Sequence, residues 1–591
     1  MPTTVKAENR ALHDWFAVIR QGKLTLPRFQ RREAWGDTEI VSLLNSIVRG
    51  LPAGAVLTLQ VSGKEQFHGR PIETAPPAIP PISEQLLDGQ QRLTALWRSL
   101  KDNYSGRTFF ISYERSSDGT PDFDKPYASD EARYEKKGLQ YPTWGNDAAK
   151  CWGDNKAIPV RFLDPDLDDV STWVDAALPN GSRDELNTLR MHISRLREQF
   201  KYFNLPFLAL PFTTDPKVAL DVFVKMNTSF VKLSAFDISV AYMEAIAGES
   251  LHDMLADLEK RVPALSRFDF LQDLILDVAA LRCDLTPGVS GYKRIDWARI
   301  KTEWPSLIDG IVAMMDLLEQ ERIFDASRLP SYSPLPVIAS VWHYRGKHDA
   351  EGNARGLLKQ YLWRAFLTDR YHRSTLTNAV QDFRALRKVL QGDASPESVP
   401  ALNESVYALP DIDTIEAAGW PKERNILGRA LMILQLQCGS QDFADASNAT
   451  ASNVKSREYH HLFPSATLGD AELSDDSIWR AVNCALITWS TNRKLSDQDP
   501  LDYLKRRTDH ALKGEAEIRA RLRTHLVPYE VLNVGGYSAL LDTARAEKIQ
   551  ADYTSFCKSR AQILCIAAGL AARGGVVTAE SVMQQYEKAN G

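Results

Sequence analysis

The spacing of apolar residues predicts alternating helices and strands in the first third of the chain. Between Leu12 and Ile19, and again between Ile40 and Val48, apolar residues recur with the period of an amphipathic helix. Ser182 and Glu185 stand at capping-box spacing and predict a further helix, Ser182 to Tyr202. Short apolar runs bounded by turn residues predict the strands Ala55 to Val61, Phe109 to Tyr113, Ile158 to Phe162 and Phe207 to Phe212. We therefore predict a mixed α/β or α+β N-terminal domain at residues 1–245.

The rest of the chain is mainly helical by the same criterion. Residues 246–400 have helical periods without a chemical motif, and a flexible polar linker, Gln391 to Pro396, lies near their end. The C-terminal domain, residues 401–591, opens with a helix and ends in a helical tail. We assign no element to a polar insertion at residues 116–155, and we predict disorder from Gly439 to Ser456. The predicted fold class is multidomain α+β.

A strand, a tight turn and a helix are predicted around Asp88. The apolar run Gln85 to Leu87 ends in Asp88-Gly89, and an amphipathic helical pattern begins at once. Asp88 can cap the helix, and Gly89 allows close approach of the backbone. The first turn of a helix has free N–H groups that attract anions such as phosphate, and here that turn holds Gln90, Gln91 and Arg92. A capped helix with a polar first turn explains the same pattern equally well.

A second polar turn follows an apolar helix end at Met226. Asn227 and Thr228 would lie in this turn, free to donate and accept hydrogen bonds, and Ser234 with Asp237 predicts the capping box of the next helix. From spacing alone, an ordinary Asn/Ser turn is favoured over a functional role for these residues.

The C-terminal domain contains two adjacent histidines, His460 and His461, at the end of a predicted strand. Neighbouring side chains of a strand point to opposite faces, so one imidazole can bind a metal while the other acts as a base. Asn483 could orient the base by a hydrogen bond, and Asn492, at the start of a further helix, could supply an oxygen ligand. A histidine pair alone is more often structural, but this order and ββα spacing favour a catalytic site.

Composition and charge limit how the chain could bind nucleic acid. The 591 residues are 44% hydrophobic and 25% charged, with a formal net charge of −5. This charge argues against a protein that coats nucleic acid, so contacts with DNA must come from local basic patches. One such patch, which could equally be a solvated helix face, is Lys505, Arg506 and Arg507.

Cysteine usage and hydropathy indicate the compartment. The six cysteines are scattered and include no C-x-x-C pair, which suits reduced thiols and offers no cysteine zinc site. The start of the chain lacks a signal-peptide core, and the most apolar run, Ala561 to Ala572, is too short to span a bilayer. We expect a soluble cytoplasmic protein with no membrane segment.

These stretches together resemble the GmrSD-type modification-dependent, or type IV, restriction enzymes. The N-terminal part resembles their ParB-like DGQQR domain, and the C-terminal part resembles their HNH nuclease domain; BrxU and SspE share this layout. The residues that carry the resemblance are Phe29-Gln30-Arg31 with Trp35, Asp88 to Arg92, Asn227-Thr228, and then His461, Asn483 and Asn492.

The resemblance implies a ParB-like α/β domain that handles an NTP such as GTP or ATP and senses modified DNA. It also implies a ββα-metal HNH domain that cuts or nicks double-stranded phage DNA in anti-phage defence. In these terms His461 is the base, Asn483 orients it, and His460 with Asn492 holds Mg²⁺ or Mn²⁺. Asp88 to Arg92 with Asn227 and Thr228 would bind the nucleotide, and Phe29, Gln30 and Arg31 would sense DNA. For this last stretch, packing of Phe29 and Trp35 at a strand end is the structural alternative.

Two departures from the family pattern matter. His460 stands where many HNH sites have an acidic residue, which leaves the metal open to other divalent ions. Ser229-Phe230 stands where a glycine often follows the Asn-Thr pair, which weakens any detailed prediction for that turn.

Two other functions fit the same sequence. One is a DNA-binding nucleotide switch whose ββα module is only structural, and the other is a ParB-like regulator that uses NTP for assembly. The intact set of His461, Asn483 and Asn492 favours cleavage over both. The sequence leaves open the modification sensed, the NTP, and the oligomeric state, of which a homodimer is one option.

Overall fold

The computed structural model describes residues 5–30, 33–63, 65–116, 120–167, 170–226, 234–346, 352–495, 499–510 and 514–590. The chain divides into two compact units, Met1–Met254 and Leu255–Gly591. Among the described residues, no helix is both long enough and apolar enough to cross a membrane. All six cysteines are free thiols, as the sequence predicts.

The N-terminal unit contains eleven described strands, most of them short. They are β1 (Lys6–Glu8), β2 (Leu24–Pro27), β3 (Val56–Gln60), β4 (Gly69–Arg70), β5 (Glu84–Asp88), β6 (Arg107–Arg115), β7 (Pro121–Ala132), β8 (Tyr134–Lys136), β9 (Leu139–Tyr141), β10 (Ala157–Pro159) and β11 (Phe207–Leu210).

Six of these strands form one mixed sheet with the order β1-β11-β3-β5-β2-β4. The pairs β11/β3 and β2/β5 are parallel, and the other pairs are antiparallel. Strand β5 therefore has a neighbour on each side, and its residues Leu86 and Leu87 are buried. The turn after β5 is thereby anchored in the middle of the sheet, which confirms the predicted strand before Asp88.

The helices of this unit bury the apolar faces that the sequence predicts. Their bounds are α1 (Leu12–Arg20), α2 (Asp37–Val48), α3 (Gln90–Leu100), α4 (Ala148–Gly153), α5 (Ser171–Ala177), α6 (Arg183–Lys201), α7 (Pro216–Met226) and α8 (Ala235–Ala247), and α9 (Leu251–Arg261) contains the boundary between the units. Both predicted capping boxes are confirmed: Ser182 caps α6 with Glu185, and Ser234 caps α8 with Asp237.

The insertion at residues 116–155, to which the sequence assigns no element, is folded where it is described. Strand β7 pairs antiparallel along β6, β6 also pairs with β10, and β8 pairs with β9. Most of β7 is polar and at least partly exposed, so it lacks the apolar run by which strands are recognised. Its partner β6 supplies the buried face, with Phe109, Phe110 and Ile111 in the core.

The second unit is built mainly from helices, together with one hairpin of strands β12 (Arg457–His461) and β13 (Cys484–Thr488). The helices are α10 (Leu271–Arg282), α11 (Val289–Tyr292), α12 (Trp297–Gln320), α13 (Pro334–Val341), α14 (Asn353–Leu367), α15 (Thr375–Gln391), α16 (Ile412–Glu416), α17 (Ile426–Gln437), α18 (Ser465–Asp470), α19 (Asp475–Ile478), α20 (Trp489–Leu495), α21 (Pro500–His510), α22 (Glu515–Arg523), α23 (Tyr529–Leu532), α24 (Asp542–Ala572) and α25 (Ala579–Asn590). The predicted helical middle and helical tail are confirmed, and the linker predicted at Gln391 to Pro396 lies within this unit.

The disorder predicted from Gly439 to Ser456 is wrong. Ser440, Asp442 and Phe443 are buried in this stretch, and Arg457 donates hydrogen bonds to the carbonyl oxygens of Ser440 (2.9 Å) and Ser447 (2.6 Å). Apart from a 3-10 turn, Val454–Ser456, the stretch has no described helix or strand, and many of its polar groups bond to partners along the chain and in β12. The polar composition of this stretch is typical of a disordered segment. The stretch is nevertheless ordered, because side-chain to main-chain hydrogen bonds stabilise it in place of an apolar face.

The turn between β5 and α3 depends on a glycine. Gly89 is the N-cap residue of α3 and has a φ of +94°, in the left-handed region that non-glycine residues avoid. A Cβ atom added here would lie 2.9 Å from Cγ2 of Val56, a β-branched side chain of β3 that has little freedom to move. The sequence prediction of close backbone approach at Gly89 is thereby confirmed.

We expect Gly89→Ala to destabilise the N-terminal unit by about 1–3 kcal/mol, because alanine would be held in a strained conformation against Val56. Urea unfolding followed by tryptophan fluorescence measures this loss. Gly106→Ala is the matched control, because its added Cβ would meet no heavy atom within 4 Å and its φ is not strained. A Gly89→Ala protein as stable as the Gly106→Ala control would contradict the strain assigned to this turn.

Candidate functional site

The Asp88–Arg92 stretch is held by bonds within the N-terminal unit. The prediction that Asp88 caps α3 is wrong, because Gly89 occupies the N-cap position and no side chain caps the helix. Asp88 Oδ2 instead accepts a hydrogen bond from Arg92 Nη2 at 3.3 Å, and Arg92 Nη1 donates to the carbonyl oxygen of Ala53 at 2.9 Å. Burial lowers the pKa of Arg92, and the charge of Asp88 opposes that shift. The guanidinium therefore ties α3 to the segment before β3.

The two glutamines of this stretch are also engaged. Gln91 Oε1 accepts hydrogen bonds from the backbone N–H groups of Ala34 (2.9 Å) and Trp35 (3.3 Å), and Gln90 is buried. Gln91 thereby fixes the segment that carries Trp35 against the first turn of α3. Nucleotide binding by Asp88, Gly89, Gln90, Gln91 and Arg92 stays a prediction.

Phe29 and Gln30, the two described residues of the predicted DNA-sensing stretch, are both buried. Phe29 is buried and makes edge-to-face contacts with Phe67 and Phe223. Gln30, 6% exposed, donates from Nε2 to the carbonyl oxygens of Leu86 (2.5 Å) and Leu87 (2.8 Å) in β5. Gln30 thus fastens β5 and Phe29 packs among other aromatic rings, and a sensing role for both stays a prediction.

Three of the predicted N-terminal site residues fall on parts of the chain that the structure does not describe. They are Arg31, Asn227 and Thr228, which lie outside the described ranges. Their placement relative to the turn after β5 is therefore not assigned.

The C-terminal site is built on the β12–β13 hairpin and the helix that follows it. The strands pair antiparallel, with His460 opposite Ala485 and His461 opposite Cys484, and α20 begins directly after β13. This strand–strand–helix order agrees with the spacing that the sequence predicts.

His460 is brought to Asn492, as its predicted role requires. Its Nδ1 lies 2.8 Å from Asn492 Oδ1, and Asn492 Nδ2 donates to Glu458 Oε2 at 2.8 Å. The other ring nitrogen of His460, Nε2, is buried without a hydrogen-bond partner in the described part of the chain. Burial lowers the pKa of His460 to about 4, so the ring is neutral at pH 7 and can act as a metal ligand.

In this contact His460 Nδ1–H donates to Asn492 Oδ1, and a divalent cation of intermediate hardness that replaced the proton would have one imidazole nitrogen and one amide oxygen as ligands. Within the described ranges, no group of three or more His, Cys, Asp or Glu side chains is arranged to hold a metal ion. His460 and Asn492 would therefore leave the remaining coordination positions of a cation to water and to substrate oxygens.

His461 faces the other side of β12, where it lies between two tryptophans. Its ring stacks on Trp420 with centroids 4.2 Å apart at an angle of 14°, and it meets the Trp479 ring edge-on at 4.6 Å. Burial lowers the pKa of His461 to about 4, with a further contribution from the neighbouring His460. Its Nε2 is buried and has no hydrogen-bond partner among the described residues. Spacing along the sequence gave no sign of Trp420 or Trp479.

The Asn483 carboxamide bonds to main-chain groups and not to the His461 ring. Asn483 is fully buried, and its carboxamide bonds to both backbone groups of Phe463, accepting from N at 2.8 Å and donating to O at 3.1 Å. Leu462 N in turn donates to the Asn483 carbonyl oxygen at 2.9 Å. Any orientation of His461 by Asn483 therefore acts through the main chain that follows the histidine, not through a direct bond to the imidazole.

Two further residues that no sequence pattern indicated, Asp442 and Arg560, stabilise the arrangement of this site. Asp442 accepts hydrogen bonds from Thr488 N (2.7 Å) and Thr491 Oγ1 (2.6 Å) at the junction of β13 and α20. Arg560, in α24, donates to the carbonyl oxygens of Val482 (2.6 Å) and His525 (2.9 Å). Both contacts join positions far apart in sequence, so no local pattern could reveal them.

The predicted DNA-backbone patch lies on α21. Lys505 is exposed there, while the side chains of Arg506 and Arg507 lie outside the described part of the structure.

Comparison with known proteins supports the N-terminal resemblance. An uncharacterized protein from Methanocaldococcus jannaschii is 22% identical to this chain, and the alignment covers 94% of this chain and 98% of that relative. Residues 12–244 match the family model described as the N-terminal domain of the GmrSD restriction endonuclease. This range contains the strands of the six-stranded sheet from β2 onward, the turn at Gly89 and α3. The match supports a resemblance of the N-terminal unit to the N-terminal domain of GmrSD-type restriction enzymes.

Proposed function

We propose that this protein is a cytoplasmic, modification-dependent DNA endonuclease of anti-phage defence, regulated by an NTP in its N-terminal unit. One observation carries the nuclease assignment. The adjacent imidazoles of His460 and His461 project from opposite faces of β12. His460 Nδ1 lies 2.8 Å from the amide oxygen of Asn492, a residue of α20. The family match over residues 12–244 supports a restriction enzyme as the context of this site.

His461 is the general base in this proposal. Burial keeps its imidazole neutral at pH 7, so it can take a proton from the water that attacks the DNA phosphorus. Because Nε2 is enclosed, we assign the proton transfer to Nδ1. The Trp420 and Trp479 rings fix the plane of the imidazole, and Asn483 fixes the main chain beyond it.

His460 and Asn492 hold a divalent cation, Mg²⁺ or Mn²⁺, in this proposal. When bound, the cation supplies positive charge that stabilises the leaving oxygen. An imidazole ligand favours Mn²⁺ over Mg²⁺, because Mg²⁺ prefers oxygen ligands. Glu458, bonded to Asn492 Nδ2, holds the amide so that its oxygen faces His460.

The nucleotide, GTP or ATP, binds at the first turn of α3 in this proposal. The N-terminus of a helix suits a phosphate, and Gln90, Gln91 and Arg92 form the first turn of α3. Lys505 with Arg506 and Arg507 would contact the DNA backbone.

A second candidate function is a DNA-binding nucleotide switch in which the ββα segment is only structural. Asn483 uses its carboxamide to bind the Phe463 main chain rather than the His461 ring, and this favours the alternative. The substitutions below separate the two functions.

We expect His461→Ala to lower the rate of DNA cleavage by about 10²–10⁴-fold while DNA binding and NTP turnover persist, because only the general base is lost. Plasmid nicking with Mg²⁺ or Mn²⁺ measures the rate. His372→Ala, which changes an exposed histidine of the same unit, is the control and should cut like the parent. His461→Gln, which fills more of the space between the tryptophans, separates loss of the base from loss of packing. Nicking by His461→Ala at the parental rate would favour the nucleotide switch.

Asn492→Ala should shift cleavage to higher metal concentration, because it removes one of two protein ligands and leaves the base intact. Titration of activity with MnCl₂ measures the shift, which we expect to be about tenfold or more. Asn590→Ala, an exposed asparagine in the last helix of the same unit, should leave the midpoint of the titration unchanged. Identical midpoints for Asn492→Ala and the parent would exclude Asn492 as a ligand.

Arg92→Ala should weaken NTP binding by about 1.5–3 kcal/mol, the usual value of a charge-assisted hydrogen bond to phosphate. Calorimetric titration with GTP and with ATP measures the change. Because Arg92 also bonds to Ala53 and Asp88, Arg92→Lys serves as a second variant that keeps the charge. If the alanine protein is folded and binds both nucleotides like the parent, the nucleotide site lies elsewhere.

A further inference from the structure

A cavity of about 580 Å³ lies in the N-terminal unit, away from the turn at Gly89. The end of α2, strands β6 and β7, and α6 form its walls. Its size is within the range of sites that hold a small organic ligand, about 300–1,000 Å³. Part of its lining comes from the insertion to which the sequence assigns no element, and none of its residues has a role in the function proposed above.

One wall of this cavity is aromatic and flat. The Phe123 ring stacks on His192 with centroids 3.7 Å apart and an angle of 8° between the planes, and Tyr113 meets Phe123 edge-to-face at 5.2 Å. Burial and the charge of Arg195 lower the pKa of His192, so its ring is neutral at pH 7. Because each of these two rings covers one face of the other, a nucleobase, which presents a π-face whatever its identity, would stack on an outer face of the pair.

The Tyr113 hydroxyl is a polar group without a use inside the protein. Tyr113 lines the cavity and is 4% exposed, and among the described residues its hydroxyl has no hydrogen-bond partner. Burial raises the pKa of this phenol, so it stays protonated and can both donate and accept. Because Tyr113 lines the cavity and its hydroxyl is not used by a partner among the described residues, the hydroxyl is available to pair with the edge of a ligand.

Two arginines at the cavity are not neutralised within the described structure. Arg49 and Arg195 are exposed lining residues, and neither forms an ion pair with a described carboxylate. Lys125, also in the lining, is paired with Glu114 and Asp122, and Arg190 on the same helix as Arg195 is paired with Asp175. Unpaired guanidinium groups beside an aromatic wall are suited to a phosphate attached to the stacked base.

Phe29 and Gln30, which the sequence predicts to sense DNA, are buried, so contact with DNA needs another surface. These side chains bond to β5 and to other aromatic rings, so they offer no surface to a duplex in this arrangement. The cavity supplies the open cationic and aromatic groups that they lack.

We propose that this cavity holds a nucleotide extruded from double-stranded DNA, with the base on the Phe123–His192 wall, a base edge at Tyr113, and the phosphate at Arg49 and Arg195. This role rests on the proposed function, since it makes the cavity the place where the DNA is inspected before cleavage. A base enclosed on several sides is read together with any substituent it carries, which suits sensing of a modification.

The test uses the full chain with His461→Ala, so that bound DNA stays uncut. Fluorescence anisotropy compares a fully paired duplex with the same duplex carrying one mispaired base, whose extrusion costs least. We expect the mispaired duplex to bind about tenfold more tightly, because less unstacking energy is spent. Permanganate oxidation of thymines should rise in the bound paired duplex, because extrusion opens a base pair.

Arg195→Ala and Tyr113→Phe should each reduce this preference several-fold, while Arg190→Ala, on the same helix, should leave it unchanged. Melting temperatures close to that of the parent show that the variants are folded. DNA binding with equal affinity for the two duplexes, or a preference that both cavity variants retain, would overturn the proposal and leave the nuclease assignment standing. Displacement of the mispaired duplex by micromolar free deoxycytidine monophosphate would also overturn it, because the ligand would then be a free nucleotide.

Discussion

The geometry of the C-terminal site depends on the hydrogen bonds that Asp442 accepts. One carboxylate oxygen takes the N–H of Thr488, and the other takes the Thr491 hydroxyl and the N–H of Ala444. Burial alone raises the pKa of Asp442, but these bonds outweigh burial and hold its pKa below the usual value. The ionised carboxylate thus joins an irregular loop to the start of α20, and that junction sets where Asn492 stands relative to His460.

The same use of polar side chains recurs at the turn of the N-terminal unit. Gln30 donates to two carbonyl oxygens of β5, Gln91 accepts from two N–H groups before α2, and Arg92 donates to Ala53. Buried main-chain N–H and C=O groups must form hydrogen bonds, and where the chain is irregular a side chain has to supply the partner. The residues that form the motif are therefore also the residues that stabilise these turns. For this reason a motif alone does not distinguish a structural role from a chemical one.

Prediction from sequence succeeded where the stabilising contacts are local. The capping boxes at Ser182 and Ser234 and the strand before Asp88 depend on residues within a few positions of each other, and all are confirmed. It failed at strand β7 and between Gly439 and Ser456, where stability comes from pairing with β6 and from bonds to Arg457 and Thr488. At the site, the spacing predicted that His460 and Asn492 act together, and the two side chains do lie in contact. The spacing did not show that Asn483 binds the Phe463 main chain or that two tryptophans enclose His461.

The cost of the two buried imidazoles bears on whether the hairpin is only structural. Each histidine keeps an Nε2 without a hydrogen bond in the described structure, and an unpaired buried polar atom costs about 1–3 kcal/mol. Leucine or phenylalanine in the same places would fill the space between Trp420 and Trp479, or against Phe443 and Tyr503, without that cost. A purely structural hairpin has no use for two adjacent unpaired nitrogens. A site that must bind a cation on one face of β12 and accept a proton on the other needs an imidazole on each face, and the unpaired Nε2 atoms follow from enclosing two such rings.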